Sequence, residues 1–179
     1  MVTIRPMDLE CAGTLKAVRL SALLDTPTAF GSTYAVESQW SEAEWELRAA
    51  QWQSDRSTCY LAWDGDRACG IVAGFIDQAD STTAHLVSMW VAPEHRRHGV
   101  GRSLVESILE WARSRGVNTL CLTVTSNNDT AARFYERLGF APTGKVGPYR
   151  NDPTLSEFEM SRPISGPIAA MDNRRNGPS

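Results

Sequence analysis

The fold class this sequence predicts is α/β, a mixed sheet with helices on both faces, and three patterns carry the prediction. Short apolar runs of strand length alternate with longer stretches of helical period. Thr58–Trp63 and Ala68–Ile76, joined by Asp64-Gly65-Asp66, read as a β-hairpin. Thr83–Val91 then runs through a glycine-bearing turn into a long helix, the order that lays a helix back on a sheet.

Taken in order, Val2–Arg5 is a first strand stopped by Pro6. Asp8 is placed to cap a helix with Leu15, Val18 and Ala22 on one stripe, and Asp25-Thr26-Pro27 ends it. Residues 29–34 read as irregular and aromatic. Ser41 caps a second helix through about Gln53, with Glu44 three residues on as a capping box. Trp40, Trp45 and Trp52 read first as packing between helices and sheet. Gly70 and Gly74 inside a strand predict a bulge or the close approach of another element. Val100, Leu104, Val105, Ile108, Leu109 and Ala112 recur at helical spacing, and Gly116 is a C-terminal stop. Thr119–Val124 is the next strand. Asn128 or Asp129 caps a helix whose apolar face is Ala131, Phe134, Tyr135 and Leu138, ended by Gly139. Phe140–Val146 and Leu155–Met160 complete the sheet, with Gly147–Pro153 as the loop between them. Residues 1–163 form the domain, and 164–179, with their Gly, Pro, Asn and Arg content, read as a flexible tail.

Composition narrows the function classes. A hydrophobic share of 42% beside 22% charged residues gives a globular chain with an ample core. A net charge of −3, with arginines clustered locally, argues against a nucleic-acid partner and suits a cationic substrate. Cys11, Cys59, Cys69 and Cys121 show no metal-ligand spacing, so no metal is expected, and the last three fall in apolar strand patterns. The opening Met-Val-Thr-Ile-Arg-Pro lacks a signal peptide's apolar core, and no apolar run approaches spanning length. A cytoplasmic protein without a membrane partner is expected.

Chemistry is legible from Met89 to Leu104. Pro93 ends the strand, a basic turn follows, and Gly99-Val100-Gly101 opens the helix. The first N–H groups of a helix lack internal partners, and the peptide dipoles add positive charge there. Glycines let an anion approach the backbone, and Arg96, Arg97 and Arg102 add full charges, so a phosphate-bearing ligand is expected. A dinucleotide site would want a third glycine where Leu104 stands and an acid on Thr119–Val124, which has none. A triphosphate loop would want Gly-Lys-Ser/Thr, also missing. Arg96-x-x-Gly99-x-Gly101 after Val91-x-Pro93 resembles instead the acetyl-CoA signature of the GNAT superfamily of N-acetyltransferases. Asn128-x-x-Ala131-x-x-Phe134-Tyr135-x-x-x-Gly139-Phe140, one strand further on, resembles that family's second hallmark. The resemblance covers roughly residues 2–161.

The resemblance implies the GNAT (acyl-CoA N-acyltransferase) fold, a central mixed, mostly antiparallel sheet flanked by helices. It implies transfer of acetyl from acetyl-CoA directly to a primary amine, small or peptide-borne, in a ternary complex. Strands Thr83–Val91 and Thr119–Val124 would splay to admit the pantetheine arm, pairing it with main-chain groups of Met89 and Val91, and one N–H there would face the oxyanion. Amides of Arg97, His98, Gly99, Val100, Gly101 and Arg102 would carry the pyrophosphate, with Ser103 adding a hydroxyl. Asn128 and Ala131 would lie by the pantetheine or cysteamine. Tyr135 stands where the family keeps its general acid, ready to protonate the leaving thiolate. Many members carry a Glu on the strand before the glycine turn, where this chain has His85, with Ser88 further along. His85 and Glu37, the latter from the segment over the cleft, both stand as base candidates. Phe30, Tyr34, Trp40 and Tyr149 are candidates to line the acceptor pocket. An acetyl-cysteine route through Cys121 is the alternative to direct transfer, and its apolar setting favours an inert thiol. A homodimer is a common arrangement among relatives. A silent CoA-binding sensor or partner subunit is the competing function, favoured by the missing strand glutamate and disfavoured by the intact Tyr135.

Overall fold

The computed structural model describes residues 1–164. Its strands are β1 (Val2–Pro6), β2 (Ser57–Asp64), β3 (Arg67–Ile76), β4 (Thr83–Val91), β5 (Thr119–Thr125), β6 (Ala141–Pro148) and β7 (Ser156–Pro163). Its helices are α1 (Ala12–Asp25), α2 (Tyr34–Glu37), α3 (Glu42–Gln51), α4 (Val100–Ser114) and α5 (Asp129–Arg137). The strands form one 7-stranded sheet in the order β1-β2-β3-β4-β5-β7-β6. Only β4 and β5 run parallel; the other neighbours are antiparallel. This is the mixed, mostly antiparallel sheet the sequence led us to expect.

The core lies on both faces of the central strands. β3 is buried almost without interruption from Cys69 to Gly74, which requires cover on both sides. α4 lies across β1 to β4, and α1 packs on β3 and β4 with α3 against it. The apolar stripe of α4 is buried as the spacing required, Leu104 and Ile108 completely. Gly70 and Gly74 let that helix come close: a Cβ would stand 3.1 Å from Leu104 Cδ1 at the first and 3.2 Å from Ile108 Cγ2 at the second. Larger residues there would push the helix off the sheet.

Two irregularities in β4 position the site. β4 pairs with β5 only through Thr83, Ala84 and His85, after which the strands part. On its other side, Ile71 faces Trp90 while Ala73 faces Val87, so Ser88 and Met89 together oppose Val72. That is a β-bulge, and Ser88 takes the left-handed conformation at φ +57°.

Several boundaries differ from the sequence reading. The stretch read as irregular ends where α2 begins at Tyr34, a short helix the sequence reading did not include, capped by the Thr33 side chain accepting from the Val36 N–H. Asp8 makes no side-chain cap; it precedes a 3₁₀ turn at Leu9–Cys11, and α1 begins only at Ala12. β6 and β7 extend further than their apolar patterns suggested, because ladder bonds carry Gly147 and Pro148 into the sheet. Ser41 and Glu44 form the expected capping box. Ile164 is buried, and its N–H donates to the Asn118 carbonyl at 2.7 Å. The rest of the predicted tail, 165–179, lies outside the described residues.

Candidate active site

The turn into α4 is built for a ligand that needs main-chain donors. Gly99 is its N-cap at φ +84°, and Arg97 also takes a positive φ of 62°. The first helical bond runs from the Ser103 N–H to the Gly99 carbonyl at 3.0 Å, so the N–H groups of Val100, Gly101 and Arg102 precede it. Arg97, His98, Gly99 and Arg102 are exposed, Gly101 is partly so, and Val100 is buried. The two glycines serve different ends. A Cβ on Gly99 would meet nothing within 4 Å, and only its φ demands glycine. A Cβ on Gly101 would stand 3.2 Å from Phe134 Cζ and 3.3 Å from Met89 Cε, so Gly101 lets α4 close against α5 and β4.

Arg96 is engaged away from the turn. Its Nε donates to the Val91 carbonyl at 2.9 Å, and a terminal nitrogen binds the Asp25 carboxylate, which also accepts from Trp90 Nε1 at 2.9 Å. Asp25 is three-quarters buried and needs a cation there. Arg96 therefore ties the end of α1 to the end of β4, and the Val91 carbonyl is taken up in that tie.

Where β4 and β5 part, a cavity of about 1140 Å³ opens. Leu86 to Met89 line it from β4 and Leu122 to Thr125 from β5, with Asn128, Ala131 and Tyr135 from α5. The Asn128 Oδ1 accepts from the Ala131 N–H at 3.1 Å, so this residue caps α5 while standing in the cavity wall. Tyr135 packs between Phe134 and Phe140 and is 7% exposed. Burial pushes its phenol well above the usual tyrosine range, which keeps the proton on it throughout the neutral region.

The opposite wall carries a feature that sequence reading missed. Arg19 of α1 and Glu37 of α2 form a buried ion pair, with Nε donating to Oε2 at 2.9 Å and a terminal nitrogen to Oε1 at 2.8 Å. The remaining terminal nitrogen of Arg19 reaches the Ser88 hydroxyl at 3.3 Å, and the guanidinium lies 4.7 Å over the Phe30 ring. A signal was present: Arg19 follows Leu15 by four residues on an otherwise apolar face, and a buried arginine needs a carboxylate.

The other predicted residues divide. Glu37, Phe30 and Trp40 line the cavity; Trp40 rests against Trp45 at 4.9 Å. His85 does not line it. Its ring stacks on Phe75 at 5.0 Å and its Nε2 meets Asp77 Oδ2 at 3.0 Å, and that bond holds the Asp77 carboxyl below the usual range. Tyr149 stands behind the wall, its hydroxyl donating to the Phe30 carbonyl at 2.7 Å, so it braces the segment that carries Phe30. Tyr34 is 38% exposed and outside the lining. Cys121 is buried on β5, and burial raises its thiol. Among the described residues, no helix is long and apolar enough to cross a membrane.

Parted strands with unpaired main-chain groups, a helix N-terminus packed close to Met89 of the cavity wall and a protonated phenol in that wall fit an acyl-CoA ligand. They define the class of CoA-dependent acyltransferases. A sequence model of the Acetyltransferase (GNAT) family matches residues 21–140, and the chain belongs to that family, whose acyl donor is acetyl-CoA. The chain is 30% identical over 109 residues to the ribosomal protein bS18-alanine N-acetyltransferase of Escherichia coli, spanning 61% of this chain and 72% of that one. It is 28% identical over 113 residues to the mycothiol acetyltransferase of Geodermatophilus obscurus, but there the match spans only 37% of the relative. Among solved structures, a GNAT acetyltransferase from Streptococcus pneumoniae superposes with a TM-score of 0.75 at 24% identity, covering 92% of this chain and 100% of that one. The yncA protein of Salmonella typhimurium, solved with its cofactor acetyl-CoA, gives 0.73 at 19% identity, covering 94% and 96%. At these identities the structures speak for the fold.

Proposed function

We propose that this chain transfers the acetyl group of acetyl-CoA directly to a primary amine, small or peptide-borne, with Tyr135 as general acid. The observation that carries the reading is that one cavity is lined by both sets of groups. Ser88, Met89, Asn128 and Tyr135 belong to the donor side, and Glu37, Phe30 and Trp40 to the other. Two substrates brought into one space react without a covalent enzyme intermediate, which suits the buried Cys121.

When bound, CoA supplies the acetyl thioester. The N–H groups from Arg97 to Arg102 hold its diphosphate, and the unpaired edge of β4 from Leu86 to Met89 holds its arm. Ser88 and Met89, the bulged pair, both line the cavity, and a main-chain N–H there would stabilise negative charge on the acyl oxygen. Tyr135 gives its proton to the departing sulfur. The acceptor's ammonium, of pKa about 10.4, must lose a proton near pH 7, a gap of roughly 4.6 kcal/mol. Glu37 is the base candidate in the cavity wall, and its oxygens keep lone pairs beyond those used by Arg19. His85 would have to act through Asp77, which does line the cavity.

The test is release of free thiol from acetyl-CoA across a panel of amines. Acceptor-dependent release is expected. Tight uptake of CoA with no release for any amine would instead make the chain a sensor or partner subunit.

A further inference from the structure

We infer that the amine taken by this cavity also carries a carboxylate, and that Arg48 of α3 is the residue that binds it. This rests on the acetyl-transfer reading above and specifies its acceptor. The cavity wall holds three guanidinium groups, Arg19, Arg48 and Arg56. Arg19 is matched by Glu37 at 2.8 Å. Arg56 lies at the exposed rim and donates to the Asp77 main-chain carbonyl at 2.5 Å. Arg48 is half-buried and has no carboxylate partner among the described residues. Its contacts are Gln51 Oε1 at 3.4 Å and the ring of Trp52 at 5.0 Å.

A cation drawn partly out of water without a counter-ion is costly unless a ligand supplies one. Burial and the neighbouring Arg19 both disfavour the charged form of Arg48, and Glu37, which opposes them, makes its ion pair with Arg19 and not with Arg48. The acids elsewhere in the wall do not serve Arg48. Asp77 is held by His85 and by the N–H groups of Ala79 and Asp80, and Glu157 stands on β7, beyond β5. One unmatched positive charge calls for one negative charge. A carboxylate fits the planar fork of a guanidinium, and Trp52 holds that fork in place by its ring face. Gln51, also in the wall, accepts from Arg48 through its Oε1, and among the described residues its amide N–H₂ is left to serve as a second donor. The acceptor then spans the cavity, its amine toward Glu37 and Tyr135 and its carboxylate against α3.

The experiment pairs each amino acid with the amine lacking its carboxylate: glycine with methylamine, phenylalanine with phenethylamine, lysine with cadaverine. Thiol release from acetyl-CoA by the full chain is read for both members. The carboxylate-bearing member of the accepted pair should show the higher kcat/KM by about 10- to 100-fold, the range of one charge-assisted hydrogen-bonded contact. Arg48→Gln should raise KM for that member by a similar factor and bring the pair nearly level. Arg48→Lys, keeping charge without the fork, should recover part of the difference, and a thermal melt reports that each variant is folded. Equal kcat/KM within every pair, or a loss in Arg48→Gln shared equally by both members, overturns this inference alone. No thiol release with any amine overturns the transfer reading, and this inference with it.

Discussion

Tyr135 is the residue whose chemistry and position are most tightly bound together. Its phenol is buried, and burial raises its pKa, so it stays protonated as pH climbs. Tyr135→Phe should lower kcat on the order of 10²-fold with little change in the KM for acetyl-CoA. The wild-type kcat should hold through pH 10, with no loss from ionisation of a phenol in the ordinary range. A decline of kcat with a midpoint near 10 that disappears in Tyr135→Phe would place the phenol in contact with water. The two glycines of the turn give a second contrast. Gly99→Val sets a β-branched residue at φ +84° in open space, so CoA affinity should fall by about tenfold or more. Gly101→Val drives into Phe134 and Met89 and should lower stability by about 1–3 kcal/mol. CoA titration and denaturant unfolding separate the two effects. Tyr135, Gly99 and Gly101 were legible because each sits at a fixed offset in a motif. Arg96 was legible only as a charge: nothing near it in the chain announced that Asp25, far upstream, would claim it.

The elements were read more securely than their joints. The stripe of α4, the Ser41 capping box and the hairpin at Gly65 are local patterns, and the structure has them where the residues put them. The parting of β4 from β5 after His85 and the bulge at Ser88 are not local. They depend on what pairs across the sheet, and only the family resemblance anticipated the gap. The short α2 escaped because four residues carry no period. The Arg19–Glu37 pair joins α1 to α2 and, through Ser88, to the bulge. Removing one partner leaves a buried charge uncompensated, so Arg19→Met or Glu37→Gln should each cost about 3–5 kcal/mol. The double variant Arg19→Met/Glu37→Gln should lose less than the sum, read from denaturant midpoints in a double-mutant cycle. Strict additivity would mean that the pair contributes nothing as a pair.

At the scale of the whole molecule, the fold brings three distant stretches of chain to one cavity. β4 lines one side of it, α5 brings Tyr135, and the α1–α3 segment lines the other side, while the glycine turn lies outside the lining and meets it through Gly101, packed close to Met89. The proposed donor half could be named from the sequence because phosphate recognition by a helix N-terminus is written in consecutive residues. The acceptor half could not, because Arg19, Glu37 and Arg48 meet only once α1, α2 and α3 have packed over the sheet. The measurement that bears most directly on this account is a crystal structure of the chain with CoA. It should show the diphosphate on the N–H groups between Arg97 and Arg102, the arm lying between β4 and β5, and the sulfur facing Tyr135. CoA bound away from the turn, or a gap between those strands still empty beside bound CoA, would contradict it.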